Sequence, residues 1–339
     1  MSVSDQLLQE YGQRTRVELA RYLQPREPRR HLYSLVADYP QRGGRMLRSS
    51  LCIATARAFG AEPDDALQSA VALELLHSAF LVHDDVEDES EMRRGLPTLN
   101  ASCGVAAAVN AGDALALTAL RALVDNRWKL GPRLTIRLLA EAERMARESV
   151  EGQAVELGWR SDNATHLGDA DYLEMVLKKT CWYTTIFPSR VGALLASGGD
   201  DDLDRFIRFG FFLGAAFQIQ DDLLNLVGDE SRYGKEINGD IREGKRTLML
   251  IHLLREADAD ERSRLRTFLA RPRPERTDKE VRWIRERMET YGCVDRARRI
   301  AYGLSGAAEH ECATLYAGVP DSRDKRFIES LPMWVLSRL

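Results

Sequence analysis

The placement of proline constrains this chain more than any other feature. Proline ends or kinks a helix interior, because its ring removes an amide donor and clashes with the preceding turn. The 339 residues carry only 11 prolines, and residues 189–271 carry none. Residues 133–187 and 275–319 are also free of it. Within these stretches apolar residues recur at three- and four-residue spacing rather than in alternation. The pattern predicts helices over 1–24, 46–59, 66–88, 105–127, 133–158, 171–197, 203–228, 246–256, 260–270, 278–290 and 294–315, with a kink at Pro188. Loops are expected around Pro40–Gly44 and over 229–244. There is no βαβ rhythm and no short repeat. A length prior of about 150 residues per domain suggests two domains. The long helical stretches favour one all-α domain over residues 1–339, a single large helical bundle. The stretch RPRPER, residues 271–276, resembles a linker and reads as a join between two helices.

Composition narrows the class. Hydrophobic residues make up 44% and charged residues 29%, a mix that suits a globular protein. The net charge of −4 speaks against a general nucleic-acid binder, which carries a basic face. Five cysteines form no CxxC pair, as expected of reduced cytoplasmic thiols. The first residues lack the apolar core of a secretory signal. No run approaches the roughly 18–20 apolar residues of a membrane span. A soluble cytoplasmic protein without nucleic-acid partner or stable membrane insertion is expected.

Two acidic clusters carry the chemistry. HSAFLVHDDVED, residues 77–88, contains DDxxD at Asp84, Asp85 and Asp88. On a helix Asp84 and Asp88 lie one turn apart on one face, where their repulsion calls for a cation. Hard oxygen ligands suit Mg²⁺. FQIQDDLLN, residues 217–225, repeats the spacing as Asp221, Asp222 and Asn225, with Gln218 one turn earlier. Mg²⁺ usually bridges a few carboxylates and substrate phosphates, so paired acidic motifs imply a phosphate-bearing substrate. Basic residues stand ready to complete the site: Arg93 and Arg94, the GGRMLR run with Gly44, Arg45 and Arg48, Lys179 beside Thr180, Lys235 and Lys245.

Three other patterns carry less. GDIREGKR, residues 239–246, departs from a P-loop at Arg246, where Ser or Thr is needed, and no strand precedes it. His77 and His83 are misplaced for a shared metal. Trp182 and Tyr183 read as core or cavity lining rather than a nucleic-acid platform.

With these motifs in order, the chain resembles the trans-isoprenyl diphosphate synthases, most of all those that make geranylgeranyl diphosphate. GGRMLR, HDDVED with RRG, GDAL at 112–115, GQ at 152–153, KT at 179–180, FQIQDD and the run from Gly228 to Leu248 carry the resemblance. It implies a helical bundle of the isoprenoid synthase type around a central cavity. It implies metal binding by Asp84, Asp85, Asp88, Asp221, Asp222 and Asn225, with three Mg²⁺ ions when diphosphate is bound. Arg93, Lys179 and Lys235 match positions that grip the allylic diphosphate, and Lys245 matches a further contact. Gly44, Arg45, Arg48, His77 and Arg94 match the isopentenyl diphosphate site. Thr180 and Gln218 lie near the developing cation. Catalysis then rests on Lys179, Thr180, Gln218 and Lys235. A homodimer is implied as well. Asn225 departs from the usual aspartate and brings no charge. Met46 departs from a common basic residue, and the end of the chain lacks the basic tail of some members.

The product should grow away from the metals, so residues a turn before Asp84 should form the floor. A turn rises about 5.4 Å, close to one isoprene unit. Phe80 is bulky and Ala79 small, which suggests a passage past Phe80 and a geranylgeranyl product, with farnesyl or longer products as alternatives. A class I terpene cyclase would need no isopentenyl diphosphate pocket. A non-catalytic subunit of a heteromeric synthase should have lost acidic ligands, and this chain keeps five aspartates in the two motifs.

Overall fold

The structure is a computed structural model that describes residues 3–228 and 236–337. Helix α4 (Pro63–Glu87) runs through the centre. Glu62 and Asp65 form a capping box at its start, and Pro63 sits in the first turn, where its missing amide donor is not needed. Val71, Leu73 and Leu75 are all buried, so α4 is apolar on more than one face and needs neighbours all round. It packs against α6 (Val105–Asp125), α3 (Leu47–Ala58) and α1 (Val3–Leu19). Helix α10 (Phe206–Val227) is its counterpart, packed against α15 (Cys293–Leu315) and a π-helix at Leu177–Ile186. Full burial of a side chain such as Leu75 or Phe209 contributes roughly 1.5–3 kcal/mol. Both acidic motifs sit at the C-terminal ends of these two helices.

The remaining helices wrap this pair. They are α2 (Ser34–Gln41), α5 (Leu99–Cys103), α7 (Arg127–Ser161), α8 (Asp169–Val176), α9 (Phe187–Ala196), α11 (Gly239–Glu243), α12 (Leu248–Glu256), α13 (Ala259–Leu269), α14 (Asp278–Thr290) and α16 (Arg323–Leu336). The all-α expectation holds. The expected break at Gly131–Pro132 appears as a non-helical Gly131 near the start of α7, with φ 75°.

Four details differ from the sequence reading. Pro188 does not kink a helix; it lies in the first turn of α9, and the chain loosens upstream into the π-helix. Helix α2 and its Pro40 occupy part of an expected loop, and α11 part of another. Helix α16 had no predicted counterpart, though Ser322 caps it by accepting a hydrogen bond from the Lys325 amide. A two-stranded hairpin pairs Met92–Arg93 with Leu96–Pro97, too short to show alternation. Its turn residues Arg94 and Gly95 have φ 55° and 74°, the two positive values of a type I′ turn. That turn folds Arg93 and Arg94 back beside the end of α4.

Contrary to the sequence reading, α4 and α6 are long and apolar enough to cross a bilayer. Most of α4 is buried inside the bundle. Much of α6 is not: Val105, Val109, Leu117 and Leu120 are exposed, as are Ile136, Val150 and Val155 on α7.

Candidate active site

A cavity of about 1380 Å³ opens between the ends of α4 and α10. Its wall holds Gly44, Arg45, Arg48, His77, Phe80, Asp84, Arg93, Arg94, Lys179, Thr180, Gln218, Asp221, Asp222 and Lys245. Residues far apart in sequence thus meet in one chamber. Lys235 lies outside the described residues. Ala79, Asp85, Asp88 and Asn225 are not among the lining residues.

The first acidic motif divides its work. Asp84 faces the cavity, 3.1 Å from the Arg93 guanidinium and 3.3 Å from Lys179 Nζ. Asp85 is fully buried behind it. It accepts from Arg93 Nε at 2.8 Å and from Tyr39 Oη at 2.5 Å. Its role in this structure is to aim Arg93. Burial works against the Arg93 charge, but Asp85 and then Asp84 outweigh it and raise the guanidinium above its usual range. Asp88 is buried too, 2.8 Å from Arg160 and 2.6 Å from Lys245. Lys179 is paired with Glu156 as well as Asp84. Burial lowers the pKa of its ammonium, yet Glu156 and Asp84 together hold it above the usual lysine range.

In the second motif both aspartates reach the cavity wall, and Asp222 is also tied down by hydrogen bonds. Asp221 lines the cavity. Asp222 accepts from Tyr172 Oη and Gln218 Nε2, both at 2.7 Å, and burial pushes its carboxyl up to about 6. Gln218 Oε1 in turn accepts from Thr180 Oγ1 at 2.9 Å. A relay of hydrogen bonds therefore orients Thr180 and Gln218 at the cavity wall. Asn225, expected as a ligand, turns the other way. Its Oδ1 accepts from the Asp240 amide at 3.0 Å and its Nδ2 donates to the Glu236 carbonyl at 3.2 Å. An aspartate here would lose that second bond, since a carboxylate cannot donate. Asn225 pins the start of α11, and Asp240 reaches the cavity wall from there.

A second charged cluster lies around α3. Arg48 donates to Thr184 at 3.0 Å and lies 4.6 Å over the Tyr183 ring. His77 stacks on the same ring at 5.8 Å. Burial, then Arg48 and Arg94, keep the pKa of His77 well below the usual value, so it is neutral at pH 7. Arg94 donates to the Gly43 carbonyl. Burial lowers its pKa to about 10, opposed by Glu74 and aided by Arg93, Arg48 and Arg42. Arg48 Nε and His77 Nδ1 are buried without a hydrogen-bond partner. Crowded arginines and unspent polar atoms at a cavity wall make a receptor for an anion. Gly44 has φ 145°, and a side chain there would press on the Arg94 guanidinium.

Glycine also explains the GQ pair. Any Cβ on Gly152 would collide with the Lys178–Lys179 backbone, so its absence lets α7 pass the π-helix that carries Lys179 and Thr180. π-Helical turns are frequent at functional sites. Sequence reasoning missed Tyr39, Arg160, Glu156, Tyr172 and Asp240. Each acts through a partner remote in the chain, which no local pattern records.

The donor set fits a hard cation. Asp84 and Asp221 offer carboxylate oxygens to one cavity. Among the described residues no three acidic, histidine or cysteine side chains form a closed metal cage. That is the arrangement expected where phosphate oxygens complete the shell.

Comparison with known proteins agrees. The Polyprenyl synthetase family profile matches residues 29–288. The chain is 36% identical over 220 residues to a geranylgeranyl diphosphate synthase of Sulfolobus acidocaldarius, covering 65% of this chain and 66% of the relative. It is 32% identical over 298 residues to a nonaprenyl diphosphate synthase of Mycobacterium tuberculosis, covering 87% and 83%. Its fold is similar to a polyprenyl synthase of Caulobacter crescentus solved with calcium and isoprenyl diphosphate, with TM-score 0.84, 28% identity and coverage of 99% and 98%. Opposed aspartates, a separate arginine cluster and this match over most of the chain lead to one conclusion: the protein belongs to the polyprenyl synthetase family and is a metal-dependent trans-prenyltransferase.

Proposed function

We propose that the protein condenses isopentenyl diphosphate head-to-tail with allylic diphosphates and makes geranylgeranyl diphosphate. The carrying observation is one cavity with two distinct anion receptors. One combines Asp84 and Asp221 with Arg93 and Lys179; the other combines Arg45, Arg48, His77 and Arg94. A cyclase has use for only the first. Asp84 and Asp221 would hold Mg²⁺, which would supply positive charge against the leaving diphosphate. Arg93 and Lys179 add fixed positive charge where that group departs, so the allylic C–O bond ionises. Thr180 and Gln218, on the same cavity wall, would set their oxygens near the developing allylic cation. The arginine–histidine receptor holds isopentenyl diphosphate so that its double bond reaches the cation. The released diphosphate takes the departing proton. Incubation with Mg²⁺, isopentenyl diphosphate and five-, ten- or fifteen-carbon allylic primers, followed by chromatography, tests the reading. Failure to condense with every primer sinks it.

Product length depends on the apolar wall beyond Asp84. Phe80 lies on the cavity side of α4 and meets Tyr183 edge-on at 5.6 Å. Ala79, at 1% exposure, is not among the lining residues, so of the pair it is Phe80 that meets the cavity directly. Phe80 is therefore the residue to change. Phe80→Ala should lengthen the main product by at least one five-carbon unit. An unaltered product distribution would remove Phe80 from the floor.

The reading extends to a homodimer. The exposed apolar face of α6 and α7 is what a second copy would cover, since such faces on soluble monomers are rarely large. Light scattering should give twice the chain mass of 38.3 kDa, and Leu117→Glu should yield monomers. A wild-type monomer at micromolar concentration would refute this.

A further inference from the structure

The RPRPER segment, residues 271–276, does more than connect α13 to α14. The Arg273 guanidinium, only 11% exposed, donates to the Asp88 main-chain carbonyl at 3.0 Å, Glu243 at 3.2 Å and Glu236 at 3.0 Å. These acceptors belong to the end of α4, which carries the first acidic motif, and to α11 with the residues leading into it, which Asn225 of the second motif pins. Ser90 Oγ adds a hydrogen bond to Glu243 at 2.9 Å. Lys245 Nζ lies 2.6 Å from Asp88 Oδ2 and 3.1 Å from Glu243 Oε2. The contacts close a ring that runs from the Asp88 carboxylate through Lys245, Glu243 and Arg273 back to the Asp88 carbonyl. Arg276 braces it by donating to the Arg242 carbonyl at 2.7 Å.

We infer that Arg273 is a positioning residue for the metal–diphosphate end of the cavity. It neutralises Glu236 and Glu243, so that Lys245 stays on Asp88 and α11 keeps Asp240 at the cavity wall. Without it, Glu243 competes with Asp88 for Lys245, and two carboxylates in a nearly closed space repel the phosphate they should help to seat. A fork that reaches three acceptors is a task for arginine; lysine supplies one point charge. The inference rests on the proposed function, because it presumes that diphosphate binds at this end.

The test uses Arg273→Gln and Arg273→Lys in the full chain. Calorimetric titration of Mg²⁺ in the presence of inorganic diphosphate reads binding directly, and steady-state kinetics reads the two substrates apart. Supporting residues behind a metal site typically contribute about 10–100-fold in metal affinity. Arg273→Gln should weaken diphosphate-dependent Mg²⁺ binding about tenfold and raise the KM for the allylic diphosphate. The KM for isopentenyl diphosphate should stay put, since none of Arg273's contacts above involves Arg45, Arg48, His77 or Arg94. Arg273→Lys should fall between the two. Unchanged binding in Arg273→Gln overturns the inference, and so does an equal rise in both KM values, which marks a general loss of structure. If the glutamine variant does not fold, the lysine variant carries the test, and wild-type binding there overturns the inference. A wild-type protein that binds Mg²⁺ and diphosphate but condenses nothing refutes the proposed function instead.

Discussion

Asp84→Ala and Asp221→Ala each lower kcat by about 10³-fold while leaving the fold intact. Removing one group that stabilises developing charge typically costs 10²–10³-fold, and here the metal shared with the substrate is lost too. Both side chains line the cavity rather than the packed core, so truncation leaves no large void. Asp85→Ala should behave differently. It strips the buried Arg93 of its main partner and leaves the Tyr39 hydroxyl without an acceptor, so stability falls along with rate. Circular dichroism melts and single-turnover assays on the three variants separate the cases. Activity within tenfold of wild type in both Asp84→Ala and Asp221→Ala would remove these residues from the metal site. The double variant should be little worse than either single one, because residues that act as a unit are not additive.

Lys179→Ala lowers kcat by about 10²-fold and raises the KM for the allylic diphosphate. Its ammonium is held charged between Glu156 and Asp84, ready for a phosphate oxygen. Deleting it also leaves Glu156 buried without its cation, and breaking a buried pair costs about 3–5 kcal/mol. Stability and catalysis are therefore confounded in the single variant. Adding Glu156→Gln removes the stranded charge. The double variant should regain most of the thermal stability but not the rate. Recovery of rate with stability would mean that Lys179 serves only the fold.

The helix ends that carry DDxxD and DDxxN were legible because a helix makes residues four apart neighbours, so a local pattern has a spatial meaning. For the same reason the spacing alone assigns Asp84 and Asp221 to one chemistry. Asp85 and Asn225 fall in the same motifs, yet their hydrogen bonds run to Tyr39 and Arg93, and to Glu236 and Asp240. Nothing in the spacing separates a carboxylate that faces a cavity from its neighbour that faces the core. The π-helix at Leu177–Ile186 was hidden as well, and so was the close passage of α7 over it at Gly152.

Ala79 shows the limit from the other side. Spacing sets Ala79 and Phe80 together a turn before Asp84, but only the rotation of α4 shows that Ala79 is buried and Phe80 meets the cavity. By itself the sequence determined the all-helical class, the two acidic helix ends and the stock of cations that answers them. Proline spacing, helical periodicity and motif spacing are properties of neighbouring residues, and they survive without a partner. Tertiary structure alone decided which carboxylate meets the cavity and which arginine is spent inside. It also turned the RPRPER join into a brace between the first motif and α11. Those outcomes depend on burial and on charges brought together from distant parts of the chain, where removal from water makes pairing obligatory.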